Sequence, residues 1–368
     1  MTSAEHHSRA RRVYVDWARA IAVLLMIEAH TLDAWTRPAD RHGVWFRDAA
    51  VLGGFAAPLF LWLAGLAVAL SATRVAERTG SRPQAVAAVV RRGLEIFLLA
   101  FLFRLQAFVV SPGSYMVTLF RVDILNVMGP ALVVAGLVWG CAGTARVRVL
   151  AFGLLAFTTT MVTPIVRAAA FVDYLPLWCQ WYLRPFGDYT TFMLLPWAGF
   201  VFAGAAVGAL IAAAGDEQSE RRSQAILAAL GAALVALGFY TASRPAIYQA
   251  SSFWTSSPTW FAIRVGILML ALAALSALAE LAATARVQLP ALEKLGRNSL
   301  FVYWIHVELV YGYASWLWRH RLPLWGTAIA WAAFSVLMYR AIGLRDRLVD
   351  LWRRRRRRAE STPRAATA

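Results

Sequence analysis

Two ionisable side chains set into an apolar stretch are the first places where this chain could do chemistry. In the run Val15-Asp16-Trp17-Ala18-Arg19-Ala20-Ile21-Ala22-Val23-Leu24-Leu25-Met26-Ile27-Glu28-Ala29-His30, ten residues separate Arg19 from His30. At ~100° and ~1.5 Å per helical residue the two side chains share a face within ~20° and lie ~16 Å apart along it. One stripe thus carries a fixed cation towards one end and an imidazole towards the other. A guanidinium suits a phosphate or thioester oxygen. An imidazole oriented by a carboxylate, with Asp33 one turn beyond on the same flank, suits removal of a proton from a hydroxyl or amine. The same groups also suit a structural ion-pair network, of which Asp16 and Arg19 at i, i+3 are the nearest pair.

Groups of this kind recur. His42 lies in a loop, within Asp40-Arg41-His42-Gly43-Val44-Trp45. Ser299, Tyr303 and His306 fall at i, i+4 and i+7, a polar stripe against which the first helix could pack, with Glu308 flanking it. Arg121, Asp123 and Asn126 open another apolar run, and Asp123 and Asn126 share a face at i, i+3. Arg121 has two candidate settings, a pair with Asp123 or the surroundings of Arg104. Arg264 is a further intramembrane cation with no partner nearby in sequence. Such arginines imply an anionic or sugar-rich cavity, or ion pairs with Asp123 and Glu308.

The elements that must position these residues follow from composition. The chain has 368 residues, is 60% hydrophobic and 13% aromatic, and carries a net charge of +17. This is the composition of an all-α, polytopic integral membrane protein. Apolar stretches of about twenty residues predict about ten transmembrane helices, at 13–35, 49–72, 87–109, 121–142, 148–170, 190–213, 224–242, 259–283, 299–318 and 325–344. Arg19 and Glu28 would each cost ~2.5–3.5 kcal/mol at the bilayer centre, against a gain of ~0.3–0.6 for each Leu, Ile or Val, so the first helix must face protein or a water-filled cavity. The Arg9, Arg11 and Arg12 run ahead of it imitates a signal peptide, but the ionisable residues interrupt the apolar part and no A-x-A-like site follows. The segment is therefore expected to be a retained helix.

Basic residues are nearly all arginines in loops and at the two ends, Lys294 being the sole lysine. Positive-inside anchoring accounts for them and places both termini in the cytoplasm, so no nucleic acid is expected as a partner. The expected organisation is a cytoplasmic segment 1–12, a transmembrane domain 13–344 and a disordered basic cytoplasmic tail 345–368 with the run Arg353 to Arg358. Cys141 and Cys179 fall on opposite sides of the membrane, which argues against a disulfide, and no residue spacing suggests a metal. The outer loop 171–189, with Trp178, Trp181, Tyr182, Tyr189, Arg184 and Asp188, fits an interfacial aromatic belt or a platform for a sugar ring. Gly204 and Gly208 mark a small-xxx-small packing face.

The motifs in order resemble a known group. Arg19 and His30 at their R-x10-H spacing resemble the membrane acyltransferase superfamily. Asp16-Trp17-x-Arg19, the Pro58 to Gly65 segment, Pro196-Trp197-x-Gly199 and Ser299-x-x-x-Tyr303-Trp304-x-His306 together resemble its DUF1624 branch, related to the catalytic domain of heparan-alpha-glucosaminide N-acetyltransferase. The similarity runs from about residue 12 to 344. It implies an enzyme that takes an acyl group, acetyl foremost, from cytoplasmic acyl-CoA and delivers it to an acceptor, often a sugar or envelope glycan, on the far side of the membrane. By matching position, His42 resembles the heparan enzyme's active-site histidine and His30 the superfamily's essential one, and the choice of base stays open between them.

On that reading His30, His42 and Asp33 are catalytic, with Asp33 orienting His30. Arg19, Arg91 and Arg92 hold the acyl-CoA phosphates, and Arg121, Asp123, Asn126, Tyr303 and His306 bind acceptor or stabilise charge. The histidine acts as base for direct attack or is itself transiently acylated. A transporter or flippase for a sugar-lipid or anion would use the same buried charges without consuming acyl-CoA, though no internal duplication of broken helices is visible. A scaffold would hold them as structural ion pairs. The arginine-rich, lysine-poor composition suggests a bacterial cytoplasmic membrane, with the lipid bilayer and acyl-CoA as partners and room for a homo-oligomer.

Overall fold

A computed structural model describes residues 12–110 and 115–361. The expected cytoplasmic segment 1–12 lies outside them except for Arg12, as do residues 362–368 of the tail. Thirteen α-helices follow one another without a strand among the described residues: α1 Val13–Trp35, α2 Val44–Gly53, α3 Ala56–Thr79, α4 Arg82–Val110, α5 Ile124–Cys141, α6 Ala145–Ala168, α7 Leu177–Leu183, α8 Leu194–Ala212, α9 Glu217–Ala242, α10 Pro258–Thr284, α11 Pro290–Arg297, α12 Ser299–Tyr311 and α13 Leu324–Ser361.

Among the described residues eight helices are long and apolar enough to cross a membrane by length and composition, against about ten expected, α2 and α3 counting as one. The other two expected spans are α1 and α12. α1 has the length but carries Asp16, Arg19 and Glu28, and α12 has only 13 residues. At 1.5 Å per residue α12 reaches about 20 Å, short of the roughly 30 Å hydrocarbon core. The tail also differs from expectation: α13 stays helical from Leu324 to Ser361. Arginine, leucine and alanine are good helix formers, and no glycine or proline interrupts the run after Gly343.

Close backbone packing holds one half together. Gly204 and Gly208 of α8 face Trp62 and Leu66 of α3, and Gly65 of α3 faces Val201 of α8, so a Cβ on Gly204 would overlap the Trp62 carbonyl. Around this seam α3, α5, α6, α8 and α10 bury one apolar core with Trp62, Trp139, Phe152 and Phe200 at its centre. A second core joins α1 to α11, α12 and α13 through Val23, Ile27, Val302, Phe334 and Met338. α1 lies between the two, which is how a helix with three charged residues avoids facing lipid.

Loops tie down its far end. Thr36 pairs its backbone with Leu322, and the N–H groups of His320 and Leu322 donate to Ala34 and Trp35. Asp40 accepts from the Leu324 N–H at the start of α13 and pairs with Arg37 at 3.1 Å. These contacts, the backbone one first, hold the Asp40 carboxyl below its usual range. Arg264 of α10 donates to the Gly54 carbonyl at the break between α2 and α3, and its guanidinium packs on Phe55 and Trp260. That contact explains this intramembrane cation structurally.

Candidate active site

His30 and His306 meet where α1 crosses α12. His30 Nδ1 lies 2.8 Å from His306 Nε2, and His306 Nδ1 lies 2.9 Å from the Val302 carbonyl one turn back on its own helix. The ring planes differ by only 3° with centroids 5.0 Å apart. Two ring radii of about 1.1 Å added to the nitrogen contact nearly fill that separation, so the rings lie edge to edge in one plane, joined by a hydrogen bond. His306 has no exposed surface, whereas His30 is half-buried and opens onto a cavity.

The cavity has a volume of about 1410 Å³. It meets α1 at Arg19, Met26, Ala29, His30 and Asp33, and therefore follows that helix for about 21 Å. At one end lie Arg19, Arg92, Arg297 and Ser71; at the other lie Asp33, Arg41, Arg121, Tyr311 and Arg319. Between them Phe60, Tyr303 and His30 form the walls. The volume exceeds the ~300–1,000 Å³ of a pocket for one small ligand, leaving room for two.

Each end has its own electrostatics. Arg19 pairs with Asp16 at 3.5 Å, and Arg92 with Glu95 at 3.2 Å. At the opposite end the Tyr311 hydroxyl donates to Asp33 at 2.9 Å, and Arg41 pairs with Asp33 at 4.0 Å while donating to its carbonyl. Arg41 also lies 2.9 Å from Nδ1 of His320. A guanidinium only donates, so that nitrogen must hold a lone pair. Partial burial, then Arg41 and Arg319, push the His320 pKa below its ordinary 6.5. Arg104 pairs with Asp123, both largely buried, and Arg121 donates to Thr191 at 2.8 Å. This settles the two settings open to Arg121: Asp123 belongs to Arg104.

The expected site residues thus divide. His30, Asp33, Arg19, Arg92, Arg121, Asp123 and Tyr303 line one cavity. His42 sits in the exposed loop outside it, and Arg91 faces away from it, pairing with Glu95 at 3.9 Å. Asn126 is 1% exposed and accepts from the Asp123 N–H in a capping box that opens α5. His306 lies behind His30, out of reach of the cavity. The hydrogen-bond partner of His30 is His306, while the Asp33 carboxylate is engaged by Tyr311 and Arg41. Arg41, Tyr311, Arg297 and Arg319 also line the cavity although sequence reasoning did not select them. Tyr311 was detectable, because Ser299, Tyr303, Val307 and Tyr311 form an i, i+4 row along α12.

His30, hydrogen-bonded to the buried His306, thus opens on a large cavity with arginines at both ends. Residues 12–339 match the family model described as an acyltransferase domain. The chain belongs to that family and is a membrane acyltransferase. No curated protein matches it.

Proposed function

We propose that this protein moves an acyl group, acetyl foremost, from acyl-CoA in the cytoplasm to a hydroxyl or amine of a sugar or envelope glycan on the other side of a bacterial cytoplasmic membrane, with both termini cytoplasmic. The observation that carries the reading is the continuous cavity running along α1 with His30 between two arginine-bearing ends. The Arg19, Arg92 and Arg297 end suits the phosphates of the donor, and the positive-inside argument makes it the cytoplasmic one. The Arg41, Arg121 and Tyr311 end offers hydrogen-bond donors to an acceptor. The narrower resemblance to the heparan N-acetyltransferase group supports a sugar there.

In the proposed reaction His30 takes the proton of the acceptor hydroxyl or amine as its oxygen or nitrogen attacks the thioester carbonyl. The carbon–sulfur bond breaks, the new ester or amide forms, and His30 returns the proton to the departing thiolate, giving free CoA thiol. No residue changes its net protonation over the cycle. Transient acylation of the histidine is the second route to the same products, and a labelled acyl-protein trapped in the absence of acceptor distinguishes it. The test of function is thiol release from acetyl-CoA by detergent-purified protein supplied with a panel of hexoses and amino sugars. Acceptor-dependent release with a labelled sugar product supports the reading. A folded protein that neither binds nor cleaves any acyl-CoA tried, yet moves a sugar-lipid or anion across vesicles, establishes the transport reading instead.

A further inference from the structure

The two histidines differ in what they can do, and the geometry points to His306 as the residue that positions His30, fixing its tautomer so that Nε2 is the bare nitrogen presented to the cavity. This deepens the acyl-transfer reading and rests on it for its kinetic consequence, but not for its structural one. A carbonyl oxygen only accepts, so the 2.9 Å contact with Val302 requires a proton on His306 Nδ1. A second proton on that ring would place an imidazolium, with no exposed surface, between a carbonyl and another histidine, where buried charge needs a counter-charge. His306 Nε2 is therefore a lone pair, and the hydrogen in the 2.8 Å contact belongs to His30 Nδ1. With its Nδ1 occupied, His30 keeps its lone pair on Nε2.

The coplanar, edge-to-edge arrangement adds orientation to tautomer. An imidazole held by one in-plane hydrogen bond cannot turn its Nε2 away from the cavity without breaking that bond. The chain of hydrogen bonds ends on a backbone carbonyl, which cannot take a proton onward. His306 therefore does not drain protons from the site, and the proton that His30 removes stays available for the leaving thiolate. The role parallels the orienting member of a hydrolytic triad, performed here by a neutral ring rather than a carboxylate.

The test uses the full chain, purified in detergent with 15N-labelled histidine. His30→Asn identifies the His30 signals among the six histidines by subtraction. Wild type should show His30 protonated at Nδ1 and bare at Nε2, and His306→Ala should turn it into a mixture of tautomers. In the transfer assay His306→Ala should lower kcat about 10²-fold, the scale of positioned acid–base catalysis, with KM for acyl-CoA within about twofold. His306→Gln, whose side-chain oxygen reaches the place of Nε2, should recover about tenfold of that loss. A wild-type spectrum with the proton on His30 Nε2 overturns the inference, and it needs only the folded His30→Asn protein for assignment, whatever becomes of the His306 variants. So does a folded His306→Ala protein with unchanged kcat. If the tautomer responds as stated while no acyl transfer occurs with any acceptor, positioning stands and the acyl-transfer reading fails.

Discussion

Replacing His30 by two different residues separates its chemistry from its packing. His30→Ala deletes both ring nitrogens; His30→Asn keeps an N–H donor close to the place of Nδ1 but has no basic nitrogen. Loss of the base should lower acyl transfer about 10²–10⁴-fold, or ~2.7–5.5 kcal/mol of transition-state stabilisation, in both variants. Stability should separate them. In His30→Ala the lone pair of His306 Nε2, on a side chain with no exposed surface, loses its donor, a cost of ~1–3 kcal/mol. The neighbouring cavity admits water, which favours the lower end of that range. His30→Asn preserves the contact and should melt within about 1 kcal/mol of wild type, the net worth of a single neutral hydrogen bond. Thiol release from acetyl-CoA with acceptor, alongside thermal melts in one detergent, reads both quantities. A folded His30→Asn protein that keeps more than a tenth of wild-type turnover would refute the assignment of His30 as base.

Further predictions concern the two ends of the cavity. Because only Arg92 of its pair lines the cavity, Arg92→Ala should raise KM for acyl-CoA about tenfold, the order of one charge-assisted hydrogen bond, while Arg91→Ala leaves it near wild type; equal KM values in steady-state kinetics contradict the placement. Removing Arg104 strands the buried Asp123, so Arg104→Leu should destabilise by ~3–5 kcal/mol, and adding Asp123→Asn should restore part of that in a thermal melt. His320 in the folded protein binds protons less readily than in the unfolded chain, so stability should fall as pH drops below the ordinary 6.5 and be unaffected above it. His320→Gln, with its amide oxygen facing Arg41, should flatten that acid limb in melts taken from pH 5 to 8.

Much of the fold was legible because the bilayer is a strict solvent. Helices long enough to span it announce themselves, and the charges of α1 already required it to face protein or a cavity. The spacing of Arg19 and His30 placed both on the cavity side. What sequence could not reveal is tertiary. The partner of His30 lies 276 residues away, and Asp33, the nearest carboxylate in sequence, is taken by Tyr311. Reading Ser299, Tyr303 and His306 as one stripe put His306 on the cavity, whereas the row that lines it continues through Val307 to Tyr311. One residue of offset, about 100° on a helix, turns His306 towards α1 instead. In the loop after α1 a histidine drew attention by its chemistry, yet its neighbour Arg41 reaches the cavity, because the pairing of Thr36 with Leu322 folds the loop back. The tail's charge suggested disorder, but α13 runs on to Ser361: like charges one turn apart cost only ~0.2–0.5 kcal/mol a pair, and the run is built of strong helix formers.

The length of α13 sets a depth. Its 38 residues extend about 57 Å, and Arg345 comes about 32 Å from Leu324, close to the thickness of the hydrocarbon core. At that level Arg345 donates to Asn298 at 2.6 Å and Asp346 pairs with Lys294 at 3.4 Å, fixing the start of α12 to α13 one hydrocarbon thickness from Leu324. His306 lies eight residues further along α12, about 12 Å inside. On the acyl-transfer proposal, a donor whose bulky polar part stayed at the level of Arg345 would have to deliver its carbonyl across that distance, so the vertical register of one long helix would select donors by the reach of their arm.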